Sequence, residues 1–402
     1  MSVYLQLFGV TSNTNRVYEM ACKNAEYYNY KLVDDESDLQ DAISELKRKV
    51  EDQNTLIAVD CEGVSLSRKG ALTIITVATE DLVYIFDVLK LGRIIFSSGL
   101  GEILADKFRE KLMFDCRQDS DALWHQFHVK LAGVLDLQLL EVIYRRETAS
   151  AKTRFSTRNR RSQRTRRTGE VENINGFRRC IELYVKDEKL VKVKDKGKEL
   201  IKEDQKVWRK RPLTDALIKY CVVDTMGMFK LFDKMKAVNE GERARLRVAS
   251  EKYADMYRGK TKRSFDEYES NAFLPLDIIP AKGTLNFSPT STKCTGCRRR
   301  FPQEEFSAAE LRKGEQKCRV CKEVKRRADV KMRREAQWRL EFEADDSCCY
   351  DSFNLLDDVL DDDYCESWRD VLEEDDYDYD YPESISSRDV IDEDDWWWYY
   401  DD

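Results

Sequence analysis

From Ser37, apolar residues recur at helical spacing (Leu39, Ile43, Leu46, Val50) and lead into an unbroken apolar run, Leu56-Ile57-Ala58-Val59. Spacings of three and four predict an amphipathic helix, and a short apolar run bounded by turn residues predicts a buried strand. After a turn at Lys69-Gly70 the β-branched run from Leu72 to Val77 predicts a second strand, and Val83-Tyr84-Ile85-Phe86-Asp87 a third. A helix around 100–110 precedes a short strand at Lys111-Leu112-Met113-Phe114. Residues 119–128 read as helix, Val134-Leu135-Asp136 as strand and 137–146 as helix. Residues 213–238 give one or two helices, with apolar positions at Leu217, Ile218, Val222, Met226, Phe229 and Phe232. Strands first, then strands alternating with helices, indicate an α/β domain over 37–240. Residues 1–36 form an N-terminal extension of mixed pattern. The alternating-charge segment 185–206 reads as solvated, and 271–292, with three prolines, as a linker.

The first strand ends in VDCEG, residues 59–63. Positions i and i+2 of a strand face the same way, so Asp60 and Glu62 project together with Cys61 opposite. Two adjacent carboxylates are costly unless protons or cations neutralise them, or unless both are solvated at a strand end. Asp119, in KLMFDCRQD, stands at a strand–helix junction, where an aspartate also serves as a helix cap. Tyr220 and Asp224, in RPLTDALIKYCVVD, are spaced i, i+4 and share one helix face. Taken singly, each has an ordinary packing or capping role; the constellation is more specific.

These motifs together resemble the DnaQ-like (DEDD, tyrosine-type) 3′–5′ exonucleases of RNase H-like fold. The RNase D and Werner-type branch is the most similar, and within it a group of fungal exonuclease-domain proteins. The resemblance covers about 50–240 and rests on VDCEG, on KLMFDCRQD, on the Asp136-Leu137-Gln138 strand end, and on RPL with YCVVD. It selects Asp119 over Asp115 and Asp121. It implies a mixed sheet flanked by helices and two Mg²⁺ or Mn²⁺ ions held by Asp60, Glu62, Asp119 and Asp224. Asp60 would bridge both ions. Tyr220 would orient or help deprotonate the attacking water, in place of the histidine of a sister subgroup. His125 and His128 read as packing or surface residues. Phe114 stands where these enzymes often carry histidine, and the segment between Gln138 and Arg211 is longer and more basic than the family core.

Charge adds a partner. Residues 341–402 hold 26 acids and two arginines, a net of −24, which leaves +16 on the remainder. A basic body suggests a polyanion, here nucleic acid with single-stranded 3′ ends. Residues 145–168 carry ten Lys/Arg against one Glu, and Arg154, Arg158, Arg160, Arg161, Arg164, Arg166 and Arg167 are the candidate phosphate contacts. The acidic tail is too polar to bury a core and is expected to be disordered.

Cysteine spacing adds a second metal. Cys294-x2-Cys297 and Cys318-x2-Cys321, with 20 residues between the pairs, match a closed tetrahedral zinc site. The text between them is similar to a LIM-like zinc domain of fungal adaptors, which implies a role in holding a protein partner or substrate. The expected division is therefore an exonuclease domain to 240 with a basic insertion at 145–170. A helix and linker over 241–290, a zinc module over 291–340 and the acidic tail follow.

No run of 18 apolar residues occurs, so no membrane span is expected. The opening MSVYLQLFGVTSNTNRVYEM has neither a basic start nor a sustained apolar core. With twelve cysteines this points to a reducing intracellular setting, nucleus or cytoplasm. Two functions fit: a metal-dependent 3′–5′ exonuclease on RNA or DNA, or a weakly active or inactive nucleic-acid-binding adaptor in RNA metabolism or small-RNA and chromatin pathways.

Overall fold

The computed structural model of the protein describes residues 29–53, 56–155, 171–236 and 239–346. The chain runs β1 (Tyr30–Val33), α1 (Glu36–Gln53), β2 (Ile57–Val64), β3 (Ala71–Ala78) and β4 (Val83–Asp87). Two short helices follow, α2 (Val88–Leu91) and α3 (Gly101–Ala105), then β5 (Lys111–Met113), α4 (Arg117–Phe127), β6 (Val134–Asp136) and α5 (Leu137–Phe155). Next come α6 (Phe177–Cys180), α7 (Glu188–Glu203), α8 (Asp215–Met235) and α9 (Glu240–Arg258). The last elements are β7 (Thr292–Lys293), β8 (Arg300–Phe301), α10 (Ala308–Lys313) and α11 (Arg319–Asp346).

Six strands form one mixed sheet in the order β1-β4-β3-β2-β5-β6. The long strands β2, β3 and β4 pair antiparallel, while β1 joins β4, and β5 and β6 extend β2, in parallel. This is a mixed sheet flanked by helices, the architecture that the sequence motifs imply. Because α8 packs across β2 to β5 on one face and α4 meets β3 on the other, seven of the eight β3 residues are buried. Covering both faces explains why that strand reads as a continuous β-branched run rather than an alternating one.

Three local devices fix the site-bearing elements. The register of β2 against β3 shifts between Glu62 and Gly63, and a side chain at Gly63 would lie 2.0 Å from the Ala71 carbonyl oxygen. The bulge therefore requires glycine immediately after Glu62. Thr214 caps α8 by accepting from the Leu217 amide. The Arg211 guanidinium forks onto Asp87 at the end of β4, which ties the entry of α8 to the sheet.

Some expectations change. The helix near 100–110 ends at Ala105, after a kinked turn at Phe96–Leu100. The mixed pattern before Ser37 hides a sheet strand, β1. Residues 213–238 hold a single helix, and α9 packs onto α4 and β6. The proline-bearing stretch from 271 is packed rather than free: Phe273, Leu274 and Ile278 are buried, and Phe273 bridges to Asn173. Segment 185–206 is the largest departure. Most of it is α7, which packs on α8, with Leu190, Lys194 and Gly197 buried.

The chain forms one compact unit up to Arg333 and a second from Arg334. Among the described residues, no helix is long and apolar enough to cross a membrane.

Candidate active site

β2 presents Asp60 and Glu62 from one side of the strand, as alternation dictates, and α8 lowers Asp224 onto them. One carboxylate oxygen from each of the three lies within 4.8 Å of the others. Asp119 sits in the first turn of α4, buried, beside the Cys61 thiol on β2. It stands outside the three-carboxylate group but near enough to act on Asp60 and Glu62 electrostatically. The other acids of the same motif are engaged elsewhere. Asp115 is gripped by Arg117, and Asp121 by Arg68 and Arg263. Asp136 accepts from the amides of Cys116, Gln138 and Leu139 and so caps α5.

Electrostatics follow from crowding. Burial first, then the charges of Asp224 and Asp119, push the Asp60 carboxyl well above its usual range. Glu62 is raised by burial and then by Asp60. Burial lifts Asp119 to about 7 and raises Asp224 as well, where Lys194 opposes the rise. Carboxylates held this close need positive charge to ionise together.

Tyr220, one helical turn before Asp224 on the same helix face, is buried beside that carboxylate; burial first, then the Asp224 charge, raises its phenol well above the usual value. Its ring is held from several sides: Trp208 stands edge-on at 6.2 Å, and the Lys194 ammonium lies 4.7 Å from the ring centroid. At Gly197 a Cβ atom would come within 2.2 Å of Tyr220 Cδ2.

Lys194 was not legible as a site residue. Its Nζ donates to Asp224 Oδ1 at 2.5 Å, with both side chains buried, and it lies 4.8 Å over the Phe177 ring. Phe177 in turn packs on Phe114 at 5.0 Å, so the Phe114 ring supports this contact. The signal was the spacing Leu190, Lys194, Gly197, a buried stripe with a lysine where an apolar residue is expected.

The donor set fits hard divalent cations. All ligands are carboxylate oxygens, and Asp60 Oδ2 is buried without a hydrogen-bond partner. His125 and His128 stay apart from it. His125 contacts the Arg258 carbonyl, and His128 ends α4 in a left-handed conformation.

With the carboxylates placed on β2, α4 and α8, comparison with known proteins becomes informative. Residues 30–158 match the 3′–5′ exonuclease family, which takes in Asp60, Glu62 and Asp119. That stretch of the chain is therefore similar to a 3′–5′ exonuclease domain. Exonucleases of this DnaQ-like class use two divalent metal ions. The mouse piRNA biogenesis protein EXD1 is 30% identical over 183 residues, 44% of this chain and 29% of that protein. The human protein of the same name is also 30% identical over 183 residues, covering 45% and 32%. The chain thus spans less than a third of the length of these relatives.

Among solved structures, RNase D of Trypanosoma brucei in complex with GMP superposes with a TM-score of 0.47 at 22% identity. That match covers 61% of this chain and 69% of the other. Escherichia coli RNase D gives 0.40 at 17% identity, covering 60% and 53%.

The four cysteines also converge. Cys294, Cys297, Cys318 and Cys321 are buried, and their sulfurs lie within 4.8 Å of one another. The sulfurs of Cys294 and Cys321 are 3.7 Å apart, those of Cys297 and Cys318 4.0 Å. A tetrahedron with Zn–S bonds of about 2.3 Å has edges of about 3.8 Å, so the spacing suits zinc. The surroundings are less polar than the sequence indicates, because Phe273, Phe301, Phe306, Val320 and Val324 form a small core around the cysteines. Of the basic-segment residues, Arg154 falls in the last turn of α5. Arg158, Arg160, Arg161, Arg164, Arg166 and Arg167 lie outside the described residues, as does most of the acidic tail.

Proposed function

We propose that the chain is a metal-dependent 3′–5′ exonuclease that hydrolyses the terminal phosphodiester of single-stranded nucleic acid. The observation that carries this reading is the convergence of Asp60, Glu62 and Asp224 from β2 and α8, with Tyr220 one helical turn before Asp224. Divalent ions at such carboxylates neutralise the phosphate and activate water. Asp60, Glu62 and Asp224, with Asp119 behind them, would hold the cations. Tyr220 would orient the attacking water through its hydroxyl. Water oxygen bonds to phosphorus, the bond to the 3′ oxygen breaks, and that oxygen takes a proton, which releases a nucleoside 5′-monophosphate. RNA is the favoured substrate because the relatives are named for piRNA biogenesis. We further propose that the four cysteines bind one structural zinc ion and that the basic segment contributes phosphate contacts.

A second reading, a nucleic-acid-binding adaptor of little or no turnover, is favoured by the Lys194–Asp224 ion pair inside the acidic cluster. The deciding experiment uses 5′-labelled single-stranded RNA and DNA with Mg²⁺ or Mn²⁺. The exonuclease reading expects a ladder shortening from the 3′ end that Asp60→Asn abolishes. Binding without shortening in either ion, or equal shortening by Asp60→Asn, refutes it.

A further inference from the structure

We propose that Lys194 is a built-in cation that takes the place of one divalent ion, so that the carboxylate cluster binds a single Mg²⁺ or Mn²⁺ at Asp60 and Glu62. This deepens the exonuclease reading and rests on its assignment of Asp60 and Glu62 as metal ligands, while it replaces a metal at Asp224 with the lysine. The argument begins with position. The Lys194 ammonium contacts Asp224 Oδ1 at 2.5 Å, and the two side chains are only 5% and 7% exposed. A divalent ion held by Asp224 would share that oxygen's surroundings with a full positive charge. Screening is weak in such a buried place, so the two cations compete strongly.

Lys194 is also fixed. A flexible surface lysine would swing away when an ion arrived, but this one sits between the Phe177 and Tyr220 rings. Its helix is anchored along its length. At the start of α7 the Asp187 side chain accepts from the Lys189 and Leu190 amides and from Lys230 of α8. In the middle, Asp195 accepts two hydrogen bonds from Arg178, and Gly197 lies flush on the Tyr220 ring. Withdrawing the ammonium would break its contacts with both rings and with Asp224 at once. The cation is part of the fold.

Charge at the cluster agrees. Asp60, Glu62 and Asp224 bring three negative charges within 4.8 Å, and one divalent ion with one ammonium offsets those three, with Asp119 standing outside the group. The fixed cation still supports the chemistry, since an ammonium against Asp224 can favour the charge developing on phosphate without needing to be recruited.

The test counts ions on the full, zinc-loaded chain by Mn²⁺ electron paramagnetic resonance. Only sites lost in Asp60→Asn are counted, because the acidic tail also attracts Mn²⁺. The wild type should bind one such ion. Lys194→Met, which keeps the side-chain stem, should gain a second ion or bind Mn²⁺ roughly tenfold more tightly. Lys194→Arg should behave as the wild type. Two Asp60-dependent ions in the wild type overturn the proposal without recourse to any variant, as does unchanged Mn²⁺ binding in a folded Lys194→Met protein. RNA shortening is followed in the same samples. One bound ion with no shortening leaves the proposal standing and removes the exonuclease reading; two bound ions with shortening do the reverse.

Discussion

Gly197→Ala reverses an ordinary rule of helix stability. In the interior of an exposed helix, replacing glycine with alanine stabilises by about 1 kcal/mol, because alanine loses less backbone freedom. Here the added Cβ would lie 2.2 Å from Cδ2, 2.8 Å from Cγ and 3.0 Å from Cβ of Tyr220, against 3.4 Å for ordinary contact. The ring has little room to yield, with Trp208 edge-on to it and the Lys194 ammonium 4.7 Å from its centroid. Overpacking of a core costs about 1–3 kcal/mol, and a clash with a held ring belongs toward the upper end. The net expectation is a loss of about 1–2 kcal/mol, or a fall in melting temperature of roughly 2–8 °C for a domain of this size. Thermal unfolding followed by circular dichroism with zinc present measures it. A variant that melts above the wild type would show that α7 is not seated on Tyr220, and the account of Lys194 would fall with it.

Other consequences can be checked independently. Asp119, raised to about 7, has a folded pKa above its unfolded value, so its contribution to the ion-free fold is full below about pH 4 and lost as pH rises through 7. Mn²⁺ displaces that proton, so affinity should climb between pH 6 and 8 and the climb should flatten in Asp119→Asn; parallel pH profiles would contradict this. Cys318→Ser should reduce bound zinc from one ion to none by native mass spectrometry. It should also lower the melting temperature of the nuclease core, because Phe273 belongs to the cysteine cluster and bridges to Asn173; zinc loss with unchanged melting would deny that coupling. Deleting 156–168 should reduce the slope of log affinity against log salt for single-stranded RNA, and an unchanged slope would exclude phosphate contacts there.

The grouping of the carboxylates was readable because it depends on local periodicity. Alternation along β2 puts Asp60 and Glu62 on one side, and helical spacing puts Tyr220 and Asp224 on another, with no knowledge of the distant partner. Asp119 could be chosen among three aspartates by motif, and the ion pairs of Asp115 and Asp121 now supply the physical reason. What escaped is what only packing decides. Charge composition made 185–206 look solvated, yet Lys194 is buried because Asp224 lies opposite it, and nothing within α7 announces a carboxylate thirty residues on. β1 escaped for a similar reason. Four residues carry little pattern, and its parallel partner β4 lies fifty residues downstream. The apolar surround of the cysteines draws on Phe273, outside the module read from the sequence.

The placement of α8 across β2 to β5 also fixes an order of events at the ribosome. The last strand of the sheet ends at Asp136, but the helix that covers its apolar face is complete only at Met235, about 100 residues and roughly 5–20 s of synthesis later. During that interval the nascent sheet has its strands but not its cover, and Asp60 and Glu62 face neither Asp224 nor Lys194. The chain therefore emerges with its sheet and its mutually repulsive carboxylates made first and the helix that covers and balances them made last.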